Sequence, residues 1–285
     1  MQVISIPETL LPSTSRGPGS TILFHSYESE IEHSKVKVEM GSHLISFILE
    51  GQKQVFQHAS SAVVDPHSFL MLRGGNCLMT ERLSENRSYK SFLFFFDKEV
   101  ITDFMVKHKI KAKVPVENPD YLVLQKDPFI KHFLESLLLL IHEMGVIPQA
   151  LKKAKFEELM LYLIDRHGEG VVQFYLEKNT SSQEINFKKV IEQNLDNKLS
   201  LEELAFLCNM SISTFKRKFA EHYESSPSKW FLQKRMEQAE YMLRVQKLKP
   251  SEIYFELGFS NLSSFSQAFK NRYGSSPAKY SSQVD

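Results

Sequence analysis

The sequence predicts an α+β protein with two domains, the first rich in short strands and the second all helical. Its 285 residues are enough to bury two cores, and 42% of them are hydrophobic, as in ordinary globular proteins. Strand-like patterns end near residue 97, whereas helical periodicity dominates from residue 127 onward. A stretch near the C-terminus is also written twice, and such a repeat sets the architecture of the domain that contains it.

The strand candidates predict an antiparallel β-barrel or jelly roll after a loose tail at residues 1–19. Residues 35–40 alternate polar and apolar side chains, as a half-buried strand does, and Gly51 and Asp65-Pro66 punctuate the runs. Many short strands at this spacing favour a barrel or jelly roll. The stretches ISFILEGQKQV and VVDPHSFLMLRGG resemble the sheet-and-turn rhythm of a cupin. The six candidates are residues 21–25, 35–40, 44–49, 54–58, 68–72 and 91–96.

Helices follow the strands at residues 98–109, 127–145 and 149–168. In the two longer helices, at about 127–168, the apolar positions spread beyond one narrow stripe, so both packing on the barrel and pairing with a second subunit are open. The residues expected to form a dimer interface are Leu134, Leu137, Leu138 and Ile141. We predict a sensor and dimerisation domain at 1–176, a polar linker at 177–183 and a second domain at 184–285.

The repeat consists of LSLEELAFLCNMSISTFKRKFAEHYESSPSKW and LKPSEIYFELGFSNLSSFSQAFKNRYGSSPAKY. Each copy predicts a short helix, a turn and a second helix, which is a helix-turn-helix. In the first copy Ser200 and Glu203 form a capping box where the first helix begins. Seven residues of the first copy recur 50 positions later, and they are Phe215, Phe219, Tyr223, Ser225, Ser226, Pro227 and Lys229.

The second helix of each copy has the polar face of a helix that enters the major groove of DNA. Phe215 and Phe219, with Phe265 and Phe269 in the second copy, face the core. A long helix at 228–245 holds the copies apart, and adjacent major grooves are about 34 Å apart. The alternative to DNA contact is that the basic run 216–218 is only a solvent-exposed surface without a binding role. The predicted DNA-binding residues are Ser213, Thr214, Lys216, Arg217, Lys218, Ser263, Ser264, Ser266, Gln267, Lys270 and Asn271.

The stretch IYFELGFSNLSSFSQAFKNRYGSSPAKY, with Arg235, Ala239 and Leu243 in the preceding helix, resembles the AraC/XylS transcription regulators. The resemblance covers about 100 residues, and the barrel-then-helices layout is similar to the two-domain layout of that family. It implies a sequence-specific transcription regulator, more often an activator, with promoter DNA and RNA polymerase as partners. It further implies a homodimer and an effector, either a small molecule or a protein.

Three residues depart from the family pattern. Tyr254 stands where a small residue is usual, Gln267 where an arginine is common, and Ser281 where an arginine often follows the final aromatic residue. We therefore expect the first copy, which keeps Arg217, to supply most of the electrostatic grip. The charge balance agrees, because residues 183–285 hold 15 Lys and Arg against 12 Asp and Glu, a net of +3.

Other function classes find little support in the sequence. Cys77 and Cys208 have no partner spacing, which favours a reducing cytoplasm, and neither a signal peptide nor a membrane span is expected. No cofactor or metal is expected, and His58 and His67 are interpreted as barrel-surface residues. The rival hypotheses are a cupin-type metalloenzyme with an accessory DNA-binding tail, and an adaptor that binds a regulator but not DNA.

Overall fold

The computed structural model describes residues 3–11, 21–57, 60–111, 119–176, 183–195 and 199–282. The chain divides into two compact units, Met1–Val190 and Ile191–Asp285. Of the predicted linker, only Gln183 lies within the described residues, and His58 lies outside them. The predicted domain limits stay predictions.

Within the described residues, the first unit has ten strands in two five-stranded sheets. One sheet has the order β1-β3-β8-β5-β6 and the other β10-β7-β4-β9-β2. All neighbouring strands are antiparallel except β1 and β3, which are parallel. The strands are β1 (Val3–Ile6), β2 (Ile22–Ser29), β3 (His33–Met40), β4 (His43–Glu50), β5 (Gln52–Gln57), β6 (Ser60–Val64), β7 (Ser68–Leu72), β8 (Gly75–Arg82), β9 (Tyr89–Phe96) and β10 (Tyr121–Gln125).

The antiparallel sheets that the sequence predicted are present, but the predicted barrel is not closed within the described residues. A barrel needs a continuous ring of paired strands, whereas in the described residues the sheets end at the edge strands β1, β6, β10 and β2. The expectation of a loose N-terminal tail is wrong for Val3–Ile6, because this segment pairs with β3 in register Val3 to Lys37. The strands β6, β8 and β10 were not predicted either.

The sheet that contains β9 is buried on both faces. Leu93 and Phe95 pack in the core between the two sheets. Phe92, Phe94 and Phe96 point the other way, into a core shared with the helices. Because neither face meets water, this strand needs no polar residue at alternate positions. The three layers thus explain why residues 92–96 form an unbroken apolar run.

The described residues of this unit form the helices α1 (Lys98–Lys107), α2 (Pro128–Met144), α3 (Gln149–His167) and α4 (Gly170–Gln173). A further helix, α5 (Gln183–Gln193), contains the boundary between the two units. The Asp127 side chain accepts the Ile130 N–H and caps α2. α2 and α3 run antiparallel, because the Phe129 ring stacks on Tyr162 at 3.8 Å and Lys155 Nζ lies 3.0 Å from Ser136 Oγ. The sequence predicted α1, α2 and α3 to within two residues at each end.

The second unit is helical, and its helices pack around the long helix α8. Its members are α6 (Leu201–Leu207), α7 (Ile212–Tyr223), α8 (Pro227–Arg244), α9 (Pro250–Ile253), α10 (Leu262–Tyr273) and α11 (Pro277–Ser282). The predicted capping box is confirmed, since the Ser200 N–H donates to Glu203 Oε2 at 2.7 Å and the Glu203 N–H to Ser200 Oγ at 3.2 Å. α7 contacts α6 and α8, and α9, α10 and α11 also contact α8.

An ion pair is buried between the two sheets of the first unit. Lys53 Nζ lies 3.1 Å from Glu81 Oε1, and their side chains are 3% and 9% exposed. The Tyr27 hydroxyl donates to the other Glu81 oxygen at 3.1 Å. Burial alone would lower the pKa of Lys53, but its interactions with Tyr89 and Glu81 outweigh burial and raise that pKa. Lys53 therefore stays charged and depends on Glu81 as its counter-ion.

We expect Glu81→Ala to lower the free energy of unfolding by about 3–5 kcal/mol, because it leaves a buried ammonium without its counter-ion. Urea denaturation of the full chain, followed by far-UV circular dichroism, measures the loss. The double change Lys53→Met with Glu81→Leu is the control and should unfold within about 1 kcal/mol of the unaltered chain. A loss below that value for Glu81→Ala would show that Lys53 finds water or another acceptor.

Candidate nucleic-acid interface

Each of the two helices that carry the predicted DNA contacts begins at a side-chain cap. Ser211 Oγ accepts the Thr214 N–H at 3.2 Å at the start of α7. Asn261 Oδ1 accepts the Ser264 N–H at 2.8 Å at the start of α10. Both caps stand at the same position of the repeat, so both helices begin at the same residue of their copy.

An aromatic pair fixes each of these helices against the helix that follows it. Phe219 of α7 meets Trp230 of α8 edge-on, with ring centroids 5.6 Å apart and planes at 77°. Phe269 of α10 meets Tyr280 of α11 in the same way, at 5.3 Å and 76°. The assignment of the four repeated phenylalanines to the core is confirmed, because Phe215, Phe219, Phe265 and Phe269 are all fully buried. The repeat seen in the sequence is therefore a repeat of side-chain geometry.

Helix α8 also supports the second copy through polar contacts. The Tyr280 hydroxyl donates to Glu240 Oε1 at 2.7 Å, and Arg244 donates to the same oxygen at 3.1 Å. The hydrogen bond from Tyr280 lowers the pKa of Glu240, so this acceptor stays ionised. Arg235 lies over the Phe259 ring at 5.4 Å, while Ala239 is fully buried.

The exposed face of α7 is basic. Lys216 and Arg217 point to solvent, and among the described residues neither makes an ion pair. Lys218 is half-buried. Ser213 and Thr214 are exposed near the cap, with their hydroxyls 3.0 and 2.8 Å from Ser211 Oγ.

The matching face of α10 is polar but mostly neutral. Gln267 and Asn271 lie one turn apart, and Gln267 Nε2 donates to Asn271 Oδ1 at 2.8 Å. Ser266 is half-buried. The other predicted residues of this face, which are Ser263, Ser264 and Lys270, are exposed together with Gln267 and Asn271. The structure thus brings the predicted residues together on two faces, one of each helix.

Sequence reasoning missed three positions at the ends of these helices. Ser211 and Asn261 cap them, and Glu224 ends α7 in the left-handed conformation with φ of 49°, where Gly274 ends α10 with φ of 77°. The signal for the caps was present, because a small polar residue stands four positions before the first phenylalanine in both copies.

The four residues predicted for dimerisation lie at two depths. Leu134 and Leu137 are 4% and 0% exposed and belong to the core between α2, α3 and the sheet. Leu138 and Ile141 are half-buried at the edge of that core. Leu139, which was not predicted, is 60% exposed. Of these residues, Leu138, Leu139 and Ile141 can offer surface to a partner, whereas Leu134 and Leu137 cannot.

A cavity of about 90 Å³ lies between the sheets of the first unit. Its wall is mostly apolar, with Leu44 and Leu93 on one side and Val38 on the other. Lys53 and Glu81 supply polar atoms at its edge. In the described parts of the chain, no three His, Cys, Asp or Glu side chains are grouped to hold a metal ion. Every helix there is too short or too polar to cross a bilayer.

Two family models match the chain. The model described as the ExsA N-terminal regulatory domain matches residues 43–174, and a helix-turn-helix domain matches residues 204–283. The matches define a chain with a regulatory domain followed by a helix-turn-helix domain. They confirm the predicted resemblance to the AraC/XylS transcription regulators.

Curated relatives agree with that assignment. The chain is 33% identical to the Msm operon regulatory protein of Streptococcus mutans over 39% of its own length and 41% of that protein. It is 27% identical to the virulence regulon transcriptional activator VirF of Yersinia enterocolitica over 55% of its length and 58% of VirF. The matches thus span about half the length of these two relatives.

The longest of the three alignments is with a third relative. The HTH-type transcriptional regulator ExsA of Pseudomonas aeruginosa is 24% identical over 81% of this chain and 83% of ExsA. A solved structure of ToxT from Vibrio cholerae covers 91% of this chain and 97% of its own, with 11% identity and a TM-score of 0.41.

We expect Glu224→Gly to raise the free energy of unfolding of the second unit by about 0.5–1 kcal/mol, because glycine adopts the left-handed conformation without steric cost. Trp230 is the only tryptophan in the sequence and lies against Phe219, so its fluorescence during urea denaturation reports this unit. The converse change, Gly274→Ala, should destabilise by a similar amount. A Glu224→Gly chain that unfolds at lower urea would contradict the role given to this helix end.

Proposed function

We propose that the protein is a sequence-specific DNA-binding transcription regulator that activates its promoters. The observation that carries the proposal is the pair of exposed polar helix faces, on α7 and α10, each held by an equivalent aromatic pair. The helix pairs α6–α7 and α9–α10 would act as two helix-turn-helix units, with α7 and α10 in adjacent major grooves. The relatives support activation and regulation, since VirF is a transcriptional activator and ExsA a transcriptional regulator.

The two helix-turn-helix units would contribute different contacts to DNA. Lys216 and Arg217 would supply the cationic grip on phosphates and guanine, because their charges are exposed and unpaired within the described residues. The neutral face of α10 would add hydrogen bonds to bases, and Lys270 would add a phosphate contact. Promoter DNA and RNA polymerase are the proposed partners of this domain.

The first unit would receive the signal. Its match to a regulatory domain supports this role, and the cavity between the sheets could accept only a small ligand. The effector is a small molecule of that size or a protein partner that binds the surface. Because the relatives are regulators, we propose no enzymatic role. We place the protein in the cytoplasm, where its DNA would be.

The same unit would form the homodimer through α2. Residues 137–141 are all apolar, so apolar side chains leave this helix in every direction. Leu137 fills the core, which leaves Leu138 and Ile141 at its edge and Leu139 pointing to solvent. An apolar group that protrudes beside a half-buried apolar edge fits a subunit interface better than a free surface.

We expect Arg217→Ala to weaken specific binding of DNA by about 1–3 kcal/mol, because it removes a charged contact from the exposed face of α7. Fluorescence anisotropy with labelled promoter DNA, titrated at several salt concentrations, measures both affinity and salt dependence. Lys216→Ala should lower the slope of log K against log salt by about 1 if it contacts a phosphate.

The control for both changes is Lys131→Ala, which removes one exposed positive charge from the first unit. It should leave affinity and slope unchanged. If Arg217→Ala binds as tightly as the unaltered chain, then Arg217 does not belong to the DNA-binding site. If the unaltered chain binds no promoter DNA with a salt-dependent affinity, the proposed function is wrong.

We expect Leu139→Glu to weaken self-association at least tenfold, since it places a charge in an apolar interface. Leu139 is mostly exposed, so the fold should tolerate the change. Sedimentation equilibrium gives the dissociation constant. The matched control is Val106→Glu on α1, where valine is 75% exposed. Equal association of Leu139→Glu and the unaltered chain would place any dimer interface elsewhere.

A further inference from the structure

We infer that Gln267 reads an adenine in the major groove, and that Asn271 is the positioning residue that holds its amide for this contact. The inference rests on the proposed function, because it requires α10 to lie in a major groove. It names the base pair that the second helix-turn-helix, α9–α10, recognises. Neither the fold nor the family match specifies that base pair.

The first step is the equivalence of Gln267 and Arg217. Each stands six residues after the cap of its helix and midway between the two buried phenylalanines of its copy. The aromatic pairs that fix α7 and α10 have the same geometry to within 0.3 Å in centroid distance, at 5.6 and 5.3 Å. The two side chains therefore leave their helices at the same point of the same scaffold.

The second step is the chemistry of the two side chains. An arginine presents only donors and pairs with the two acceptors of guanine, O6 and N7. A glutamine presents one acceptor and one donor side by side, which matches the N6 donor and N7 acceptor of adenine. The same position of the scaffold would thus read G·C in one groove and A·T in the next.

The third step is the hydrogen bond from Gln267 to Asn271. The amide nitrogen of Gln267 has two hydrogens, and a bidentate contact with adenine uses the one on the side of its oxygen. The other hydrogen is left over, and Asn271 Oδ1 accepts a hydrogen from this nitrogen at 2.8 Å. Asn271 therefore fixes which way the Gln267 amide faces before DNA arrives. A preset amide loses less rotamer entropy on binding.

The first copy has no such arrangement. The residue that corresponds to Asn271 is Glu221, and within the described residues Arg217 and Glu221 form no ion pair. Arg217 needs no partner to set its donors, because its guanidinium is a rigid fork. The positioning residue is therefore present only where the reading side chain is an amide that could face either way.

Selection of bound DNA from a random pool by the full chain tests the inference. The selected motif should contain an A·T pair and a G·C pair about one helical turn apart, roughly 10 base pairs. Replacing that A·T pair in a labelled site should weaken binding roughly 5- to 150-fold. Gln267→Arg should change the selected base from A to G, and Arg217→Gln should make the reciprocal change in the other half.

Asn271 is tested by two substitutions. Asn271→Ala removes the acceptor, so the preference for A over the other bases should fall toward none while the G·C position is retained. Asn271→Asp keeps an acceptor at the same place and should restore the preference for A, even where its negative charge weakens overall affinity. A merely structural role for Asn271 would leave the base preference unchanged in both variants.

The matched control is Gln233→Ala. Gln233 makes the same kind of contact to a residue four positions on, Nε2 to Glu237 Oε1 at 2.9 Å, but it lies on α8. This variant should select the same motif as the unaltered chain. A further variant, Gln267→Ala, should lose the preference for A. If it instead selects a motif with every base preference intact, the inference is overturned but the proposed function is kept. Failure of the unaltered chain to enrich any sequence overturns both.

Discussion

The second unit of this molecule depends on one contact made twice, a phenylalanine edge-on against the aromatic residue that follows a buried proline. Phe219 meets Trp230 after Pro227, and Phe269 meets Tyr280 after Pro277. Aromatic pairs have preferred distances and angles, so each pair sets the rotation of the preceding helix about its own axis. The polar faces of α7 and α10 are consequences of that rotation, because the buried phenylalanines and the exposed polar residues share one helical period.

Helix α8 turns these two local arrangements into one object. Its first turns carry Trp230 of the first aromatic pair. Its later residues, from Met236 to Leu243, form much of the core of the second copy of the repeat. Tyr273 also donates to the carbonyl oxygen of Met236. A continuous helix of 18 residues bends little, so the separation of the two polar faces follows from its length. Each face can therefore vary in chemistry while the spacing is kept.

Local signals in the sequence predicted most of the helices but only part of the sheets. α2 and α3 have strong periodicity and glycine stops, so their limits follow from neighbouring residues alone. β8 was missed because it is a mixed sequence, GNCLMTER, that becomes a central strand only by pairing with β3 and β5. Whether the sheets close is likewise decided by pairing between distant strands. Periodicity placed Leu134 and Leu137 on one face of α2, but it did not show that the domain's own sheet covers that face.

The same limit applies to the candidate site, and there it is informative. The repeat predicted where the two polar faces lie, because the apolar residues that set the scaffold recur. The difference in their chemistry had to be read from the positions where the copies disagree, such as Arg217 and Gln267, because the scaffold does not constrain these exposed residues. A scaffold with two-fold repetition and unequal side chains has a direction. If α7 and α10 bind DNA as proposed, the site they recognise is asymmetric, so the protein binds in one orientation. A regulator that must approach RNA polymerase from a defined side needs such an orientation, and the exchange of Arg217 for Gln267 supplies it without any change of fold.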